Sequence, residues 1–274
     1  MTSGIIYMCF GQQACVEASY SIKSFRRFVD YKVCVVGDEW AENHFKSDDK
    51  VTFIKCDVNP YDESAPNKFK FMAGRIKPLL AELSPFDKTL YVDADTSFRK
   101  SPKFGFDLLD KVDFIVAETQ TRSIRDTIAG QEESKYTCDI FENDMMLYHN
   151  SGMLFWNKDD SVINLFKEWS NEWQKFHGWD EQVALLRALI NTDVLFMTVP
   201  YTWNCKYERD AFFIHHWFGT GTARGDATEL DKSRAHKFRS DGSMIRIEVA
   251  PNRFVKCHPE DQEKVIQRFR SERR

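Results

Sequence analysis

Lys88-Thr-Leu-Tyr-Val-Asp-Ala-Asp95 is a short apolar segment that stops abruptly on two carboxylates. Leu90, Tyr91 and Val92 read as a buried strand emerging into a loop. In an open α/β sheet, ligands bind outside the carboxyl ends of the strands, so this position gives Asp93 and Asp95 a meaning that the letters alone do not. The chain holds 24 Asp, enough for chance to produce roughly two Asp-x-Asp strings; this is the single one present. Carboxylates one residue apart in an extended segment point the same way. They can share one hard divalent cation that also bridges a diphosphate. The competing reading has Asp93 capping a turn and Asp95 solvated.

Upstream, Gly4-Ile-Ile-Tyr-Met-Cys-Phe10 is a continuous apolar run ending at Gly11, the pattern of a strand buried on both faces. Ala18, Ile22 and Phe25 then predict a helix over 14–28 with one face on the sheet. Tyr31 to Val36 and Val51 to Lys55 supply two more strands. The segment 57–68 is turn-rich, and Phe71, Ile76, Leu79, Leu80 and Leu83 predict a helix from about 69 to 83.

Downstream, Val112 to Ala117 reads as a strand. Residues 118–148 are polar with weak periodicity and suit a lid or acceptor-binding loop. Gly152-Met-Leu-Phe-Trp156 is apolar again. Val162, Leu165, Phe166, Trp169, Trp173 and Phe176 then make an amphipathic helix of about four turns, with a second helix over Asp180 to Leu189. Val194 to Val199 and Ala211 to Ile214 read as strands, and Gly219 to Asp241 as a mobile loop. A strand near Met244 to Val249 and a helix opening at Pro259-Glu260-Asp261 complete the pattern. Without a repeat, a linker or a shift in composition, the simplest architecture is one α/β domain.

The 274 residues and 42% hydrophobic content suffice for a large core. A net charge of −4 gives no reason to expect nucleic acid or a strongly anionic membrane as partner. Twenty-three Phe, nine Tyr and seven Trp supply stacking surfaces for sugar or base as well as core packing. Seven scattered Cys lack the close pairs of zinc sites or small disulfide scaffolds, which fits reduced thiols in a cytoplasmic protein. The N-terminus shows no signal peptide, and no run approaches the roughly 20 apolar residues of a bilayer span. Arg268, Arg270, Arg273 and Arg274 beside Val265, Ile266 and Phe269 could touch a membrane; an ordinary amphipathic helix is the favoured reading.

Ser84-Pro-Phe-Asp-Lys-Thr-Leu-Tyr-Val-Asp-Ala-Asp-Thr96 resembles the segment before and through the metal motif of GT-A glycosyltransferases, especially the glycogenin-like family 8 and its nucleotide-diphospho-sugar transferase relatives. That resemblance implies a single GT-A, Rossmann-like α/β domain with a central mixed, mostly parallel sheet flanked by helices. The nucleotide-binding part would be about 1–117 and the acceptor-side part about 118–274. It further implies a UDP-sugar donor, a glycan or similar acceptor, and Mn2+ or Mg2+ held at Asp93-Ala94-Asp95.

Other islands follow in family order. Asn150-Ser151-Gly152 resembles the Asn-Ser-Gly that contacts donor sugar or acceptor. Asp180-Glu181-Gln182 resembles the Asp-Gln pair near the sugar, with two registers open: Glu181-Gln182 by spacing, Asp180 by side chain. Ile214-His215-His216-Trp217 resembles the late motif that gives the metal a third ligand, either His215 or His216; imidazole suits manganese. Phe10 and Gly11 stand where the family seats uridine, against the alternative that Phe10 is core. Arg75 and Lys77 resemble basic residues that reach the phosphates, against the alternative of a solvated helix face. The Lys-Pro-Trp after the late His in family 8 is absent, and Arg224 in Thr220-Gly-Thr-Ala-Arg-Gly225 could substitute.

The family 8 likeness favours a retaining transfer, and an inverting one would follow if Asp180 or Glu181 deprotonated the acceptor; the sequence does not choose between them. Two other classes compete. A sugar nucleotidyltransferase would carry a Gly-rich loop after the first strand, and Gly11-Gln-Gln-Ala-Cys15 has one Gly. A non-catalytic sugar- or protein-binding relative would be expected to lose the metal residues, and Asp93, Asp95 and the His pair are all present.

Overall fold

The computed structural model describes residues 1–58, 73–119, 123–124, 131–176, 181–205, 211–215, 245–250 and 253–257. Contacts divide the chain into two compact units, Met1–His215 and His216–Arg274. In the first, strands β1 (Ser3–Cys9), β2 (Lys32–Gly37), β3 (Val51–Lys55), β4 (Lys88–Val92), β6 (Phe114–Glu118), β7 (His149–Asn157) and β8 (Phe196–Val199) form one sheet in the order β3-β2-β1-β4-β7-β6-β8. β7 runs antiparallel to both its neighbours, and the remaining pairs are parallel. The sheet is therefore mixed and mostly parallel, as expected.

β1 shows why the apolar run had to be a central strand. Ile5, Tyr7 and Cys9 point into one core, with Ala18, Ile22 and Phe25 of α1 (Gly11–Phe25) and Phe45 of α2 (Glu39–Phe45). Ile6, Met8 and Phe10 point into the other. There they meet Val162, Leu165, Phe166, Trp169 and Trp173 of α6 (Asp160–Gln174) and Ala184, Leu185 and Ala188 of α7 (Glu181–Asn191). Alternate side chains along one strand thus feed two layers, and helices cover both faces. Among the described residues no helix is long and apolar enough to cross a membrane.

Several boundaries moved for identifiable reasons. The helix expected over 69–83 is helical at 73–76, tightens into a 3-10 turn at Lys77–Leu79 and resumes as α3 (Leu80–Leu83). Pro78 lacks the N–H that a continuous helix needs there. Four short elements went unread: α2, β5 (Thr96–Phe98), α4 (Lys103–Leu108) and the 3-10 turn Tyr201–Trp203. β5 pairs antiparallel with β9 (Phe213–His215), matching Thr96 to His215. The polar stretch 118–148 holds a helix, α5 (Gln131–Phe141), whose buried side chains include Glu133 and Thr137.

In the second unit, β10 (Ile245–Ala250) and β11 (Arg253–Cys257) form an antiparallel pair, the second strand being unforeseen. The expected loop at Gly219 to Asp241, Arg224, and the basic terminal helix lie outside the described residues.

Candidate active site

The strand order sets the site. β1 turns back to pair with β2 on one side, while β4 arrives on its other side, so the crevice at a topological switch point lies between the carboxyl ends of β1 and β4. Gly11 and Asp93 stand at those ends. Gly11 has φ +77, a conformation an L side chain rarely adopts, and its N–H donates to Asp38 Oδ2 at 2.7 Å. Asp38 Oδ1 meanwhile accepts from the N–H groups of Trp40 and Ala41, capping α2. One carboxylate therefore ties the ends of β1 and β2 together. Phe10, only 6% exposed, packs in the core; its backbone rather than its ring lies next to the crevice.

At the β4 end, Asp93 continues the ladder by donating its N–H to Gly152 O at 3.0 Å. This is possible because β7 is irregular. Its pairing with β6 jumps between Val116, opposite Leu154, and Ala117, opposite Asn150. The irregularity releases Ser151, Gly152 and Met153 from β6 and re-aims them. Asn150, Ser151 and Gly152 thereby come directly beside Asp93.

Lys77 is the centre of this cluster and the largest departure from the solvated helix face that its sequence allowed. Its side chain is 5% exposed. Nζ lies 3.2 Å from Asp93 Oδ1 and 3.1 Å from Glu181 Oε1, donates to Ser151 Oγ at 3.0 Å, and sits 5.3 Å from the Tyr91 ring centroid. Burial alone would push its pKa down, but the charges of Asp93 and Glu181 outweigh that and raise it. Tyr91 donates to Asp93 Oδ1 at 2.5 Å. Burial first, then the Asp93 charge, lifts the Tyr91 phenol far above its ordinary range.

The second wall is the start of α7. Glu181 Oε1 also accepts from Ser151 Oγ at 2.7 Å, Gln182 Oε1 accepts from Ser151 N at 3.0 Å, and Gln182 Nε2 donates to Tyr148 Oη at 3.2 Å. Trp169 of α6 anchors the helix by donating to Glu181 O at 2.8 Å. These contacts belong to the Glu181-Gln182 register; Asp180 lies outside the described residues.

Asp95 is buried and Ala94 packs against the core beneath it. Arg75 is half-buried, two residues before Lys77. Among the described residues no three His, Cys, Asp or Glu side chains gather into a metal cage. The backbone of His215 is paired with Thr96, one residue past Asp95; its side chain and the whole of His216 lie outside the described residues. Among the described residues the buried Thr96 hydroxyl has no hydrogen-bond partner. Carboxylate and imidazole are donor types compatible with Mn2+, and the backbone pairing of Thr96 with His215 puts the residues that carry them on neighbouring strands.

Asp38, Asn204 and the Tyr91 hydroxyl went unread as groups of the site. Asp38 carried a legible signal, an Asp before a helical segment. Asn204 carried none; it is buried at the end of the 3-10 turn and donates from Nδ2 to Asn150 Oδ1 at 2.9 Å. The free thiols of Cys15 and Cys34 belong to the core, where burial pushes both up to about 12, which rules out ready thiolate chemistry.

Residues 38–207 match the family described as nucleotide-diphospho-sugar transferase. No curated protein sequence matches the chain significantly. In fold it is similar to the apo structure of the bifunctional glycosyltransferase WbbM, with 12% identity, a TM-score of 0.58, and 79% of this chain and 46% of that chain covered. It therefore spans less than half the length of WbbM. Apo mouse xyloside xylosyltransferase 1 gives 12% identity, a TM-score of 0.56, and 79% and 98% coverage. The galactosyltransferase LgtC in complex with donor and acceptor sugar analogs gives 15%, 0.57, and 85% and 93%.

Proposed function

The chain belongs to the nucleotide-diphospho-sugar transferase family, and from that premise we propose that it is a metal-dependent glycosyltransferase. It moves a hexose or pentose from a UDP-sugar to a hydroxyl of a glycan or similar acceptor. The observation that carries this reading is the buried Lys77 clamped between Asp93 and Glu181, with Ser151 and Gly152 alongside, at the carboxyl end of β4.

Asp95 and Asp93, with His215 or His216, would hold Mn2+ or Mg2+; when bound, the ion supplies Lewis-acid neutralisation of charge on the departing diphosphate. Lys77 and the Tyr91 hydroxyl both engage Asp93 Oδ1, fixing that carboxylate so that it is preorganised before the nucleotide arrives. Asp95 is then the principal protein ligand and Asp93 a shared group, serving ion and ribose. The Gly11 turn, held by Asp38, offers backbone at the nucleobase end, and Arg75 is the candidate phosphate contact.

Glu181 Oε1 is committed to Lys77 and Ser151. An oxygen that already accepts two hydrogen bonds, one from a cation, is poorly placed to take a proton from an acceptor hydroxyl. Glu181 Oε1 therefore orients Ser151 and Lys77, while Asp180, the other candidate base, lies outside the described residues; the retaining outcome rests on the family 8 likeness.

The test is a panel of UDP- and GDP-sugars with Mn2+, read by donor hydrolysis and thermal shift. Metal-dependent turnover of a UDP-sugar is expected, abolished by EDTA and by Asp95→Ala with the thermal transition kept. No response to any nucleotide sugar together with indifference to EDTA would overturn the reading. Global unfolding of Asp95→Ala would instead make that carboxylate a scaffold residue.

A further inference from the structure

Asn150 and Asn204 form a buried amide pair in which one backbone group fixes both orientations. Asn150 Oδ1 accepts from Gly152 N at 2.8 Å. A backbone N–H can only donate, so the atom facing it must be the oxygen. That same oxygen faces Asn204 at 2.9 Å, so Asn204 must present its Nδ2. Two unspent groups follow. Among the described residues Asn150 Nδ2 donates to none, and Asn204 Oδ1 is buried with no hydrogen-bond partner. Asn204 is 4% exposed and Asn150 7%.

A buried carbonyl oxygen left unmatched is costly and needs an explanation. Slack in the chain does not provide one. Asn204 N donates to Tyr201 O at 3.0 Å, and Cys205 N reaches across to Phe213 O at 3.3 Å. The preceding Trp203 ring stacks on Phe212 with centroids 4.5 Å apart. The backbone is pinned on both sides, and the amide is held as it stands. The stranded oxygen is the cost of holding the pair in one orientation, which leaves Asn150 Nδ2 as a fixed donor that matches a hydroxyl of a sugar ring.

We infer that Asn204 is a positioning residue of the donor-sugar subsite: it locks Asn150 so that Nδ2 is presented to the transferred sugar. This rests on the donor reading above and adds the group that discriminates among sugars. A site built to hydrogen-bond a hydroxyl rejects an epimer far better than apolar walls do.

The experiment uses the full chain with Mn2+, UDP as competitive inhibitor, and UDP-glucose, UDP-galactose and UDP-xylose as donors. Asn204→Ser, Asn204→Asp and Asn150→Asp are compared with wild type. Asn150→Asp keeps an acceptor for both Gly152 and Asn204 and replaces the presented Nδ2 by a carboxylate oxygen that cannot donate. The expected result is a UDP inhibition constant within about twofold of wild type, a fall of roughly tenfold or more in kcat/KM for the preferred donor, and a comparable collapse of preference over its epimer. Unchanged donor preference in Asn204→Ser overturns the assignment. Equal loss of UDP and donor binding, or unfolding of Asn204→Ser, also overturns it by making Asn204 part of the scaffold. A wild-type protein that turns over no donor overturns the donor reading and this assignment together; normal wild-type turnover with indifferent variants overturns the assignment alone.

Discussion

Two buried cations, Lys77 and Arg187, each sit between two carboxylates, and the difference between them separates site from scaffold. Arg187 on α7 donates from Nε to Glu172 Oε2 at 2.7 Å, from Nη2 to Glu133 Oε1 at 3.0 Å and to Glu172 O at 3.0 Å, and from Nη1 to Thr137 Oγ1 at 2.8 Å. Its ring neighbours are Phe176 and Tyr136, 5.2 and 5.8 Å from the guanidinium carbon. Three helices, α5, α6 and α7, meet on this one planar fork, and both its carboxylates are at most 2% exposed. Lys77 is as deep, but the Asp93 side chain it holds is 24% exposed. A closed network of this kind specifies packing. A network with one carboxylate reaching solvent has a face left for a ligand. The choice of cation agrees: guanidinium matches several fixed acceptors at once, whereas ammonium is a compact point charge that gathers small groups around itself.

The largest effect expected from breaking this contrast is on stability, at Arg187. Arg187→Met takes the buried Glu133 out of its ion pair and leaves Glu172 with Lys175 alone, a loss of about 3–5 kcal/mol, read as a lowered urea midpoint. Glu172 would keep part of its support: burial pushes its pKa up, and in the native protein hydrogen bonds from Lys175 and Arg187 outweigh that and hold it low. If the variant folds enough to assay, its UDP affinity should match that of wild type. Lys77→Met should do the converse, lowering turnover by roughly 10²–10³-fold, the order seen when a preorganised charge-stabilising donor is removed. Its thermal transition should fall less than that of Arg187→Met, because Asp93 can relax toward water. Equal stability losses from both variants, with activity following stability, would erase the distinction.

The same contrast explains what the sequence disclosed. The strand through Leu90-Tyr91-Val92, the double-faced β1 and the stripe Val162, Leu165, Phe166, Trp169, Trp173 were legible because apolar burial writes a period into the chain. Helix α5 was not, because the face it buries carries Glu133 and Thr137 for Arg187; a polar buried face has no hydrophobic period. Lys77 looked like one more surface cation for a related reason. Its burial depends on the 3-10 turn at Pro78 and on Glu181, which is 104 residues away in sequence. Asp93, Asn150, Ser151, Gly152, Glu181 and Gln182 were recognisable as short islands, and the strand order brings them together. The Asn204 contact depends on a three-residue turn docking against β9, which no local pattern announces.

The smallest effect belongs to His149, at the head of the strand that carries Asn150. Its ring is buried, with Nε2 3.0 Å from Thr198 Oγ1 and Nδ1 without a partner, and burial pushes its pKa from 6.5 down to about 4. A depressed histidine pKa means that the unfolded chain takes up a proton more readily than the native one below pH 6.5. Stability should therefore fall as pH drops through the window between 6.5 and 4. The loss should reach about 2 kcal/mol at pH 5 relative to pH 7. His149→Gln can keep a hydrogen bond to Thr198 and has nothing to titrate, so its urea midpoint should decline less over that interval by the same amount. Turnover at pH 7, where His149 is neutral, should change little, because the ring faces Thr198 on β8 and makes none of the contacts around Lys77. If activity and stability fell together as the pH dropped, with the variant following wild type throughout, β7 would be titrating through its site end instead, and the separation between a scaffold that carries stability and a cluster that carries chemistry would fail at the strand where the two meet.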